Sequence, residues 1–196
     1  MKFVLCGVFV VVDLFGIITW SFRSAKEYVS KTPNVVSILE KRIDDQVDKD
    51  LNATDIFNLG VAGIGDDSIA DYLIRFIDKG RVETSTLNIA EKNSAMSTLG
   101  FVASKSSKND TALKYLISIL EFPDSWRKNL RWKEIAGGLP IDYSQEYVAN
   151  RVIDALGISG RKEALDSLKK ALETDKERHN RIQNAIYLNQ GISIKI

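Results

Sequence analysis

Residues Ser125 to Lys133, SWRKNLRWK, bring Trp126 and Trp132 together with Arg127, Lys128, Arg131 and Lys133. Rings interleaved with cations can stack on bases, settle at a lipid headgroup layer or form the hot spot of a protein interface. The same pattern also suits an extra helix with Trp126 and Leu130 packed inward and the cations reaching into water. These six residues are the candidate partner-binding set. Catalytic chemistry finds less to work with. His179 is the only histidine and stands among charges in TDKERHNRI, as a solvated residue would. Cys6 is the only cysteine, which excludes an internal disulfide and a Cys-based zinc site. It lies in an apolar run unsuited to a thiol nucleophile, although palmitoylation is open to it. Gly60, Gly63 and Gly65 resemble a phosphate loop in spacing, but they follow a helical pattern and lack the Lys-Ser/Thr that would hold phosphate. Asp44, Asp45 and Asp48, like Asp66 and Asp67, lack calcium-loop spacing and read as helix faces and caps. Asn52-Ala-Thr54 and Asn109-Asp-Thr111 match a glycosylation acceptor, which matters only in a eukaryotic secretory protein. No catalytic residue, cofactor site or metal ligand is expected, and the chain is not expected to be an enzyme.

The elements that must carry these residues follow from composition. The chain has 196 residues, 27 Lys+Arg against 26 Asp+Glu, and 44% hydrophobic residues. That length and apolar share support one folded domain and exclude a disordered chain. A net charge of +1 gives no global attraction to nucleic acid, so nucleic acid is not the expected partner.

Residues 3–22, FVLCGVFVVVDLFGIITWSF, carry Asp13 as their only charge. About twenty apolar residues are what a helix needs to cross a bilayer. Trp20 and Phe22 ahead of Arg23 and Lys26 resemble an interfacial anchor, so a retained single-span helix is the leading expectation, with residues 1–31 as anchor or signal plus linker. A cleaved signal peptide and export is a second reading, with Lys2 as its n-region and Thr19-Trp20-Ser21 as a poor cleavage site. A buried core helix is the third. Arg23, Lys26 and Lys31 against Lys2 favour the main domain inside, while a Met-Lys start is common in export signals. Asp13 at mid-span would cost about 2.5–3.5 kcal/mol, which strong apolar neighbours can offset.

From residue 32 to 196 the apolar period is helical. Thr32-Pro33 reads as an N-cap followed by proline at the first helical position. Val35, Ile38, Leu39 and Ile43 then fall on one stripe. Self-comparison shows a repeat. Leu59-Gly60, Leu99-Gly100 and Leu156-Gly157 each end an apolar run, with Ile56, Met96 and Ile153 four residues before the glycine. After each comes a polar turn and a second amphipathic run opening on Ala70, Ala112 or Ala164. A fourth copy, NRIQNAIYL, echoes NRVIDALGI, with Leu188-Asn189 in place of Leu-Gly. Glycine at the end of the first helix is expected to supply a left-handed cap, and alanine early in the second to allow close helix approach. Asp67, Asp110 and Ser144 are placed as N-caps. Helix pairs of this kind cannot bury their stripes alone, so neighbours must stack around one shared core.

Residues 149–189, and more loosely 85–122 and 52–80, resemble HEAT repeats, in particular the short variety of about thirty residues first described in phycobilisome lyases. The resemblance implies an all-α fold, a right-handed α-solenoid preceded by the N-terminal apolar helix, and a non-enzymatic scaffold that binds another protein. It does not carry lyase activity, because nothing outside the repeat matches those enzymes. An enzyme or enzyme accessory on the same scaffold and a purely structural envelope protein remain as alternatives. The period is broken at 122–143: Gly100 to Gly157 spans 57 residues against 40 from Gly60 to Gly100. In solenoids such insertions form loops on one face, often the binding face.

Overall fold

The structure, a computed structural model, describes residues 22–45, 52–79, 89–121 and 141–191. Among these the regular elements are helices alone: α1 (22–31), α2 (Val35–Asp44), α3 (Asn52–Ala62), α4 (Asp67–Lys79), α5 (Ile89–Val102), α6 (Thr111–Glu121), α7 (Ile141–Ser159), α8 (Lys162–Thr174) and α9 (His179–Gly191). The protein is all-α over the described residues.

The helices pack in two rows. In one, α2 packs on α3, α3 on α5, α5 on α7 and α7 on α9; in the other, α4 packs on α6 and α6 on α8. Each second-row helix also touches the first-row helix beside it: α4 meets α5, α6 meets α7, and α8 meets α9. The stripes read from sequence supply the core between the rows. Ile56, Leu59, Leu99, Ile153 and Leu156 point inward from the first row, and Leu73, Leu116 and Leu168 from the second. All are withdrawn from water, which is worth about 1.5–3 kcal/mol for each such side chain. Ala70, Ala112 and Ala164 are also buried, at the early second-helix positions where small side chains were expected.

The repeat glycines act differently from the expectation. Gly60, Gly100 and Gly157 lie inside α3, α5 and α7, not beyond their ends, and their φ angles are not positive. They are contact points. A Cβ on Gly100 would stand 2.5 Å from the Ala155 carbonyl oxygen, and one on Gly157 would stand 3.0 Å from the Ala185 Cα and carbonyl oxygen. One on Gly60 would run into the Thr98 methyl. Each glycine thus meets the next first-row helix, two residues before the next glycine. In the last copy the residue in step with Gly157 is Tyr187, two after Ala185, and not Asn189 as the Leu188-Asn189 reading requires; Tyr187 is 63% exposed on α9. The left-handed glycines are instead Gly65 (φ 76°) and Gly160 (φ 61°), in the turns after α3 and α7.

Other boundaries shift as well. α2 begins at Val35, preceded by a left-handed Asn34. Thr32 is not the cap of α2, whose N-cap position is Asn34; its hydroxyl donates back to the Tyr28 carbonyl of α1 (2.8 Å). Ile38 is 39% exposed, so the α2 stripe is Val35, Leu39 and Ile43. Ser144 falls within α7, which starts at Ile141, four residues earlier than a cap at Ser144 requires. At the other end of the rows, Phe22 of α1 stacks on Phe101 at 5.6 Å, and Phe57 meets the Phe101 ring edge-on at 5.2 Å. These contacts tie α1 to the end of α5, and the end of α5 to the middle of α3.

The expected single-pass placement in a membrane is corrected. Among the described residues no helix is long and apolar enough to cross one. The longest, α7, has 19 residues, but they include Asp142, Glu146, Arg151 and Asp154. Of residues 1–31, assigned to an anchor or signal plus linker with the span at 3–22, residues 22–31 form the helix α1; residues 1–21, with Cys6 and Asp13, lie outside the described residues.

Candidate functional site

A chain of charged and polar side chains runs along the turns between paired helices. It starts at the α4 N-terminus. Asp66 is the N-cap there: its carboxylate accepts the Ser68 N–H (2.8 Å) and hydroxyl (2.7 Å), and its carbonyl accepts the Ala70 N–H. The Ser68 hydroxyl is the main reason the Asp66 carboxyl is held below its ordinary range. Asp67, expected as this cap, does something else. It reaches across to the next turn and accepts from the Ser107 hydroxyl (2.6 Å), the Asn109 N–H (2.9 Å) and the Thr111 N–H (3.1 Å). Those donors, Ser107 above all, hold its carboxyl well below the usual carboxylate range.

Asp110 makes the next link. It occupies the N-cap position of α6 with φ 50°, a left-handed conformation that aspartate tolerates better than most residues. Its N–H donates to the Ser107 hydroxyl (2.9 Å) while its carboxylate accepts the Ser107 N–H (3.2 Å), which closes the turn on itself. The same carboxylate accepts two bonds from the Arg161 guanidinium, at 3.0 and 3.3 Å. Arg161 lowers the Asp110 carboxyl and is itself raised by that pairing. It also reaches Glu163 at 3.3 Å. The Glu163 carboxyl is lowered first by the backbone N–H of its own residue and then by Arg161. Asn189 of α9 ends the series, donating its amide to the Leu156 carbonyl (3.0 Å) and the Arg161 carbonyl (3.2 Å).

Further charged pairs join neighbouring helices within the first row. Arg42 of α2 meets the buried Asp55 of α3 at 3.0 Å, and Arg181 of α9 holds Asp154 of α7 with bonds of 2.9 and 2.6 Å. Burial raises the Asp55 carboxyl, with Arg42 opposing it. Tyr72 of α4 donates its hydroxyl to Asp44 (3.0 Å), and burial foremost pushes the phenol well up.

The turn-edge series suits positioning, not proton transfer. Its carboxylates are held ionised and its guanidinium charged, whereas general acid–base work needs a group that changes protonation near the working pH. The crevice beside Asp66, Ser107 and Asp110 has no volume that a water molecule could enter. His179 is exposed at the start of α9. Among the described residues no three His, Cys, Asp or Glu side chains are grouped as a metal ion would require.

The six candidate partner-binding residues, Trp126, Arg127, Lys128, Arg131, Trp132 and Lys133, lie outside the described residues, as does Asp48. Sequence reasoning missed Arg161 and Asn189. The available signal was positional, because Arg161 stands just ahead of α8 as Asp110 stands just ahead of α6 in the preceding pair. Comparison of the chain with protein-family models, curated proteins and solved structures finds no match.

Proposed function

We propose that this chain is a HEAT-like, right-handed α-solenoid that works as a non-enzymatic scaffold, binding another protein through its 122–143 insertion. The two-row order of helix contacts carries this reading, since each pair packs chiefly on its sequence neighbours, as stacked repeats do. The turn-edge polar groups bond to one another, which argues for rigid stacking and against an acid–base centre. Stacking consumes the apolar stripes of the regular pairs, so recognition falls to what interrupts them. The insertion holds Trp126 and Trp132 beside Arg127, Lys128, Arg131 and Lys133, and Trp and Arg are enriched at binding hot spots.

The test is a capture assay from native lysate comparing the parent with the Arg127→Ala/Arg131→Ala double variant. The expected result is weaker partner capture with the far-ultraviolet spectrum and melting point nearly unchanged. Equal capture by both proteins would remove recognition from the insertion.

A further inference from the structure

A cleft of about 320 Å³ opens between α1 and the turn after α3. Its walls are Phe22 and Val29 of α1, Val61 at the end of α3, and Ile64 of the following turn. Lys26 and Lys105 stand at the same cleft. The placement is specific. Phe22 is fixed by its stack on Phe101, and the Gly65 N–H donates to the Val102 carbonyl (2.9 Å), which pins the turn to the end of α5. The stem of Lys105 lies where a side chain on residue 65 would pass, 3.3 Å from that Cβ position.

The polar groups of the cleft divide into spent and unspent. Ser30 already donates its hydroxyl to the Glu27 carbonyl (2.9 Å), and Glu27 pairs with Lys31 at 2.6 Å. Among the described residues neither Lys26 nor Lys105 has a carboxylate partner. Two exposed lysines without a carboxylate partner, beside an apolar lining, complement a ligand with one anionic end and one apolar body. The volume falls within the range of small-molecule sites, toward its lower end.

We propose that this cleft binds a small amphipathic monocarboxylate of medium-chain fatty-acid size. The acyl body lies against Phe22, Val29, Val61 and Ile64, and the carboxylate lies between Lys26 and Lys105. This ligand is independent of the scaffold reading and of the insertion. The lysines supply charge-assisted hydrogen bonds to the carboxylate, and the apolar lining takes part of the acyl surface out of water.

The test uses the full chain and titrates decanoate below its aggregation concentration, followed by calorimetry and by amide shifts of residues lining the cleft. Saturable one-to-one binding is expected. A Lys26→Gln/Lys105→Gln variant, folded by its circular dichroism, should bind at least about fivefold more weakly, as loss of charge-assisted bonds demands. Decanol should bind the parent at least about fivefold more weakly than decanoate, for the same reason. Ser30→Phe, which fills the cleft from an exposed helix position, should abolish the shifts. Absence of saturable binding, a smaller effect in either comparison, or binding that survives Ser30→Phe would overturn the proposal.

Discussion

Arg161 holds Asp110 through two parallel bonds, Nη1 to Oδ1 at 3.0 Å and Nη2 to Oδ2 at 3.3 Å, linking positions 51 residues apart. The pair joins the turn before α6 to the turn before α8, and the Arg161 side chain is only 13% exposed. Two-point geometry on a largely buried arginine puts the pair at the upper end of what surface pairs contribute. A double-mutant cycle with Asp110→Ala and Arg161→Ala should give a coupling of about 1 kcal/mol by urea denaturation. Strict additivity would mean that the pair contributes nothing to stacking.

The carboxyls of Asp66, Asp67, Asp110 and Glu163 are all lowered in the folded protein. A lowered folded value makes the contribution complete above the unfolded value of about 4 and removes it as pH falls through the folded one. Stability should therefore drop below about pH 4, and Asp67→Asn or Asp110→Asn should flatten that drop. Asp55 has the opposite sign: its carboxyl is raised, so its contribution is present at low pH and lost as pH rises. Asp55→Asn should make the acid drop steeper. Denaturation midpoints between pH 2 and 7 decide both points, and parallel curves for all four proteins would refute the assignments.

Gly100→Ala places a methyl against the Ala155 backbone, which cannot rotate away. Overpacking of this kind costs about 1–3 kcal/mol, more than the roughly 1 kcal/mol gained in helix propensity. Gly157→Ala meets Ala185 at 3.0–3.1 Å and should cost less. Gly191→Ala meets nothing within 4 Å and should be neutral or slightly stabilising. Melting temperatures in the order Gly100→Ala lowest and Gly191→Ala highest are expected. A stabilised Gly100→Ala would show that the α5–α7 crossing is looser than described.

Leu168 is fully buried between the rows, and Leu168→Ala should cost about 2–5 kcal/mol through lost burial and the cavity left behind. Tyr187 is 63% exposed, so Tyr187→Ala should stay within about 0.5 kcal/mol of the parent. Guanidinium midpoints measure both. A loss under about 0.5 kcal/mol at Leu168 would undo the repeat register.

The sequence by itself determined that the described parts are helices, roughly where they start, and which faces are apolar. Leu59, Leu99 and Leu156 recur at one place in a helical period, and a stripe of that kind must be buried whatever it packs against. It also marked Gly60, Gly100 and Gly157 as special without saying why. Local rules offered a cap, since chain ends are where glycine most often helps a helix. Only the stacked rows show that these glycines are spaces for Thr98, Ala155 and Ala185, because a crossing distance belongs to two helices and neither sequence contains it. Asp67 makes the same point. As an N-terminal aspartate it reads as a cap for its own helix, yet its carboxylate bonds Ser107, Asn109 and Thr111, which are 40 to 44 positions away along the chain. A side chain with two lone-pair-bearing oxygens takes whichever donors are near, and in this protein the fold brings the next turn nearer than its own.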